Sequence, residues 1–580
     1  MMPIGRFRNQ FGWQKYRSLV RQDLKETYSR DLHKWLVIAP VMGIIAGLLV
    51  TLIAEVILKW MWPPILQFCL IHPLWIVPVV TGGFTLAGLI MQYLTPDPNE
   101  HSTEEIIRAY HEKQGRVEMR AFFPKLLAAI ATVGLGGSAA LEGPSIYSGG
   151  ATGSWLWTKL RKVRLGTGDR RIMLISGAAA GMAAVFRAPL TGLVFALEMP
   201  YKDDLAHEAL LPSLIASVVA YVTMVFFLGA KPLFDFHASS TFSGKDLLWS
   251  ALLGMLIGLI AMTFDITFRR ARTFMVRLKW PHWLKMAMGG AATGICGLAF
   301  LHIFKGPLVP IGPNYEAVPI ILQPGHSSIE LVAFGIFKLL ATLFSLGTGG
   351  VSAMFVPLFL TGGSFGAAFA QSVAHAPAVD LYAAVGMAAF IAAGYKTPLT
   401  AVVFVAEATG GHSYIIPSLI GAAVAYAVSG EASVSGDQRL HEDVKIEGLS
   451  SISAGEAMQR ELSTANAEWT VEEFLARLDE RRLHTMYPVV HDGEVVGSVS
   501  LLAARQVPEE RRSGTQMRSI ADSHAERIPL DCNLMEALRI LMQPAAPHMV
   551  MVTSETGKLE GILTKTDVLS ALSRGVSAGR

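Results

Sequence analysis

Apolar residues run along this chain in stretches too long for an ordinary soluble core, and glycine and proline break them at patterned places. The runs cover 35–58, 74–94, 122–140, 172–197, 209–228, 247–264, 286–304, 329–346, 381–405 and 414–428. A bilayer core takes about 20 apolar residues per helix, so the pattern predicts a polytopic all-α membrane region. The breaks read GGSAALEGPSIYSGG (136–150), FRAPLTGLVF (186–195) and GTGGVSAMFVPLFLTGG (347–363). At membrane depth, irregular backbone survives only where protein or a water-filled cavity satisfies its polar groups. The breaks therefore point to an interior pathway.

The pattern repeats. RAPLTGLVFALE (187–198) is echoed by KTPLTAVVFVAE (396–407), and Pro189 and Pro398 lie 209 positions apart (398 − 189). Each copy is preceded by a glycine-rich break ending in proline, Pro144 and Pro357, 213 apart (357 − 144). Two halves with matching broken helices predict a transporter-type site where the halves meet.

Beyond residue 428 the character changes. Residues 429–450 are polar and rich in Gly and Ser, which marks a linker. In the tail, a helical period at 470–484 precedes a hairpin pattern at 487–505 with Asp492-Gly493 as its turn; the same order recurs at 533–543 and 548–572. The expected organisation is an N-terminal segment at 1–36, a membrane domain at 37–430, a linker at 431–452 and a tandem α/β pair at 453–580.

Composition agrees with a membrane protein. Of 580 residues, 52% are hydrophobic and 16% charged, and the mean hydropathy is +0.41; soluble domains carry roughly a quarter charged residues. A net charge of +3 gives no reason to expect nucleic acid. Cys69, Cys296 and Cys532 are too scattered for a metal site or a disulfide framework. The N-terminal segment mixes Arg6, Arg8, Lys15, Arg17 and Arg21 with Phe7, Phe11, Trp13 and Tyr16. It fits an amphipathic helix on the cytoplasmic face, with a solvated basic tail as the competing reading.

Candidate chemistry sits at the breaks. Glu142 ends an apolar run beside Gly143 and Pro144. A helix starting near Pro144 aims its free amides at this spot, where an anion is favoured. The Glu142 carboxylate can occupy such a site when ionised and leave it when protonated; the plainer reading is a glutamate capping the helix. The second break carries no charge, and the amides around Met354 and Phe355 can form another positive pocket, or the stretch can serve close helix packing. No nucleophile–base pair or metal cluster suggests an enzyme.

Taken together, these residues resemble the CLC family of chloride channels and chloride/proton antiporters, over nearly the whole chain. The family motif G-(R/K)-E-G-P matches Leu141-Glu142-Gly143-Pro144, with Leu141 replacing the basic residue. G-x-F-x-P matches Ala353-Met354-Phe355-Val356-Pro357, with Ala353 replacing glycine. A third motif, G-S-G-I-P-E or G-H-G-x-P-E, aligns with residues 100–105, where His101 and Glu105 fit. The resemblance implies the CLC fold of two inverted repeats, Glu142 as the external gate, and His101, Ser102, Gly143, Met354 and Phe355 around the anion. It implies a homodimer, while the basic N-terminal segment and the hydrophilic tail suit a cytoplasmic location for both termini, with the inner membrane of a prokaryote as the expected location.

Two departures matter. Where antiporters of the family place an intracellular proton-transfer glutamate, this chain has Met199, and the adjacent Glu198 is expected to be structural, mirrored by Glu407. In place of a pore-lining tyrosine near the last membrane helix, Ser435 is the best counterpart. The expected function is chloride/proton antiport, with a passive chloride channel as the alternative that Met199 favours and a membrane-embedded sensor as a third reading. The tail resembles a CBS pair. There Thr564 and Asp567 are candidates for an adenine nucleotide such as ATP or AMP, and ligand-free packing is the competing role. No cofactor is required for transport.

Overall fold

The computed structural model describes residues 30–160, 165–166, 168–230, 242–322, 325–409, 412–440, 452–460, 462–478, 483–523, 525–543, 549–554, 556–568 and 570–571. The expected surface helix at 1–36 therefore falls, up to residue 29, outside the described residues, as does 441–451 of the linker. The chain divides into two compact units, Met1–Glu442 and Asp443–Arg580.

The first unit is helical. Its N-terminal half contains α1 (Arg30–Glu55), α2 (Trp62–Ile71), α3 (Ile76–Leu94), α4 (Ser102–His111), α5 (Phe122–Gly134), α6 (Glu142–Leu160), α7 (Asp169–Phe186), α8 (Pro189–Glu198) and α9 (Leu210–Leu228). The second half contains α10 (Gly244–Arg277), α11 (His282–Phe304), α12 (Ala317–Leu322), α13 (Ser328–Gly347), α14 (Phe355–Phe369), α15 (Val379–Tyr395), α16 (Pro398–Thr409) and α17 (Ile415–Val428). Among the described residues, six helical stretches are long and apolar enough to cross a membrane. They expose large apolar side chains outward, among them Leu52, Phe226, Leu248 and Ile329, as a lipid-facing surface requires.

Two apolar runs are each two helices, the first at the break expected within 186–195 and the second inside 381–405, which read as continuous. The run at 172–197 breaks at Arg187 (φ +55°) and that at 381–405 at Lys396 (φ +58°). In both, a left-handed residue closes one helix and a proline two positions on opens the next, because proline lacks the N–H that a helix start leaves unpaired anyway.

The centre of the unit is built from α6, α7, α14 and α15, whose residues are almost all buried. Small residues let their backbones touch. A Cβ placed on Gly149 of α6 would lie 2.0 Å from the Gly177 carbonyl oxygen of α7, and one on Gly362 of α14 would lie 2.2 Å from that of Gly386 in α15. These pairs are copies of each other, 213 (362 − 149) and 209 (386 − 177) positions apart, the same offsets as the proline repeats. The repeat in sequence is thus a repeat in packing, of the small-residue kind that membrane helices use.

The second unit holds two three-stranded sheets, β1 (Ala465–Asn466), β2 (Met486–His491) and β3 (Glu494–Ser500), then β4 (Arg527–Pro529), β5 (Met549–Thr553) and β6 (Leu559–Thr564). In each, the first pair is parallel and the second antiparallel. The β2–β3 turn is Asp492-Gly493, both at positive φ, as a two-residue hairpin demands. A helix follows the first strand of each sheet, α18 (Val471–Ala476) and α19 (Leu534–Leu541).

Candidate functional site

Helix α6 begins at Glu142 itself rather than at Pro144, and α14 begins at Phe355. The residues just before the two starts are stitched together. The Ala140 amide donates to the Ala353 carbonyl at 2.9 Å, and the Ser352 hydroxyl donates to the Ala140 carbonyl. Gly143 makes this approach possible, since a Cβ there would lie 2.7 Å from the Ala353 nitrogen.

The two starts face one another. The Phe355 amide donates to Glu142 Oε1 at 2.5 Å, and Glu142 is fully buried. Its other oxygen, Oε2, has no hydrogen-bond partner among the described residues. The next amide, that of Met354, donates to the hydroxyl of Tyr395 at 2.9 Å. The aromatic ring of Phe355 packs against Phe186, Phe195 and Phe404, with centroids 5.0–5.7 Å apart. The free N–H groups of a helix start carry partial positive charge, and an apolar wall around them strengthens their pull on an anion.

Beside these amides lies a small cavity of about 40 Å³, lined by His101, Ser102, Ser352, Ala353, Met354, Tyr395 and Ser435, with Glu104 and Arg272 also at its wall. His101 and Ser102 are buried, with His101 Nδ1 and Ser102 Oγ 3.3 Å apart. Ser102 opens α4 at φ +60°, a backbone conformation that costs a non-glycine residue energy. The Ser435 hydroxyl is buried and has no hydrogen-bond partner among the described residues. An ion pair of Arg272 and Glu104 joins α10 to α4 at the wall.

All six residues singled out in the membrane region together with Glu142 thus converge: Glu142, Gly143 and Phe355 at the paired helix starts, and His101, Ser102, Met354 and Ser435 around the adjoining space. Tyr395 was missed. It ends α15 where the chain breaks into α16, and the repeat pairs it with Phe186 (395 − 186 = 209), so the signal was an aromatic at the same break in both halves.

Glu198 and Glu407 make reciprocal contacts. Glu198 accepts from the amides of Leu399 (3.0 Å) and Thr400 (2.8 Å) and from the Thr400 hydroxyl (2.5 Å). Glu407 accepts from Leu190 (3.0 Å), Thr191 (2.7 Å) and the Thr191 hydroxyl (2.6 Å). Each carboxylate caps the first turn of the other half's proline-led helix and satisfies its open donors. Met199 is buried and supplies no titratable group.

In the second unit, Thr564 and Asp567 adjoin. The Thr564 amide and hydroxyl donate to Asp567 Oδ2 at 2.9 and 2.6 Å, and Gln459 donates to Oδ1 at 2.9 Å. In the first copy Ser500 accepts from the Ala503 amide at 3.0 Å and no acid follows.

Comparison with known proteins places both units. The family model described as voltage gated chloride channel matches residues 83–430, and the CBS domain model matches 454–505 and 518–574. An uncharacterized protein, MJ0305 of Methanocaldococcus jannaschii, is 28% identical over 396 residues, covering 68% of this chain and 93% of that protein. The H(+)/Cl(-) exchange transporter ClcA of Yersinia pestis bv. Antiqua (strain Angola) is 28% identical over 343 residues, covering 57% of this chain and 70% of that one. The crystal structure of a CLC-type fluoride/proton antiporter superposes with a TM-score of 0.62 at 20% identity, over 71% of this chain and 98% of that one, a likeness of fold. With the first family model spanning well over half of its length, the chain belongs to the voltage gated chloride channel (CLC) family, as an integral multi-pass membrane protein with a CBS pair.

Proposed function

We propose that this protein exchanges chloride for protons across the membrane, with Glu142 as its gate. The observation that carries this reading is the Glu142 carboxylate on the Phe355 amide. An ionised carboxylate and a chloride ion compete for the same donor, because each is an anion that a helix start attracts. Protonation removes the charge, weakens the hold of the amide and frees it for chloride. Return of chloride to solution lets the carboxylate fall back and shed its proton. One site thus alternates between two ions. The neighbouring Met354 amide, the Tyr395 and Ser435 hydroxyls, His101 and Ser102 supply donors for a chloride waiting in the cavity.

Passive chloride conduction is the second reading, favoured by the apolar Met199. The transport domain is taken as 37–430, with 1–36 on the cytoplasmic surface and 453–580 as the cytoplasmic CBS pair. The last turns of α10 carry Arg269, Arg270, Arg272 and Arg277, and an excess of basic residues favours the cytoplasmic side. The cavity beside Arg272 then opens inward. A homodimer in a prokaryotic inner membrane completes the proposal, with ATP or AMP at Thr564 and Asp567 as a regulator.

The test is reconstitution in liposomes under a chloride gradient, recording chloride and pH together. Uphill proton movement driven by chloride supports exchange; chloride flux without it leaves the passive reading.

A further inference from the structure

Exchange requires a proton to reach Glu142 from the inner side, and Met199 offers none of the chemistry for that task. The buried titratable groups of the membrane region are mostly engaged. Lys125 and Glu105 pair at 2.6 Å, and Lys338 donates to the Gly312 carbonyl and to Asn314. Asp265 differs. It lies within the membrane-length helix α10, is fully buried, and neither carboxylate oxygen has a hydrogen-bond partner among the described residues. A carboxylate left so in a spanning segment is costly and marks function.

Its position is specific. A Cβ on Gly394 would lie 3.9 Å from Asp265 Oδ1, and Gly394 directly precedes Tyr395, whose hydroxyl holds the Met354 amide beside the gate. Phe268 and Arg272, three and seven residues further along α10, line the cavity, so Asp265 continues that helix face. The charged groups acting on it are Lys396, at the break between α15 and α16, and Arg269 on its own helix. Lys396 is tied to the Ser429 hydroxyl at 2.5 Å and the Tyr426 carbonyl at 3.2 Å. The charges beyond Lys396 are Lys202 and the exposed Glu431.

We infer that Asp265 is the inner proton-transfer group of this exchanger, in the role that Met199 leaves empty; this rests on the exchange reading. The carboxylate takes a proton from water on the Lys202–Glu431 side, forming an O–H bond. It gives the proton up to water in the cavity, from which Glu142 is protonated. Asp265 returns to its starting carboxylate form after each cycle.

The test uses the full chain in liposomes with a chloride gradient. Asp265→Asn is expected to keep chloride flux and lose uphill proton movement, with the reversal potential moving to that of chloride alone; the parent proton-to-chloride ratio in this variant overturns the inference. Should the variant not assemble, Asp265→Glu decides: coupling with an altered pH dependence of proton flux supports the role, and the parent pH dependence overturns it. Parent protein that moves chloride and no protons contradicts the exchange reading itself, and removes the proton that Asp265 would carry.

Discussion

Glu142 Oε1 lies 2.5 Å from the Phe355 nitrogen across 213 residues of chain, so one acid side chain from the first half closes the helix start of the second. A side chain held there by charge should leave when neutralised. As pH rises, more of the carboxylate is ionised and seated on the amide, and chloride flux of the parent protein falls. Glu142→Gln has no charge to lose. Its flux is expected to be independent of pH and uncoupled from protons, in liposomes buffered across the acid and neutral range.

Tyr395 supplies the hydroxyl that meets the Met354 amide at 2.9 Å. Tyr395→Phe keeps the ring against Phe195 and removes only that oxygen. A buried amide then lacks a partner, and a chloride in the cavity lacks a neighbouring donor. Chloride binding by titration calorimetry is expected to weaken about fivefold, the equivalent of about 1 kcal/mol for one hydrogen bond.

Glu198 and Glu407 answer a different question. Their hydrogen bonds go to helix starts of the opposite half, so they fasten the halves rather than carry protons. Glu198→Ala strands the Leu399 amide and the buried amide and hydroxyl of Thr400, which costs about 2 kcal/mol or more. The protein should melt at lower temperature yet keep its proton-to-chloride ratio. A lost ratio with unchanged melting assigns Glu198 to the proton route instead.

The breaks, the repeat and the acid at the first break were all legible in the sequence, because glycine, proline and charge stand out against an apolar background. Glu142, Met354 and Phe355 were found that way. The break at Arg187 was read within 186–195, but its repeat at Lys396 was read through as a continuous run, since left-handed helix ends usually announce themselves with glycine. Tyr395 and Asp265 were hidden for another reason. An aromatic at a helix end, or one acid in a long apolar helix, gains meaning only when folding brings Gly394 and the cavity against it. Ser435, chosen as a stand-in for a missing tyrosine, does line the cavity, but a tyrosine from a different helix lies there too.

In the CBS pair, Asp567 accepts from Thr564 and Gln459. ATP added to the full-length protein is expected to raise its melting temperature, and Asp567→Ala to abolish the rise. A rise that survives in Asp567→Ala places the nucleotide elsewhere.

The most direct measurement of the shared site is a crystal structure of Glu142→Gln grown in bromide, with anomalous scattering to locate the halide. Bromide within hydrogen-bond reach of the Phe355 amide, where the carboxylate of the parent protein sits, is the expected result. An amide that stays without halide while bromide binds elsewhere contradicts the account.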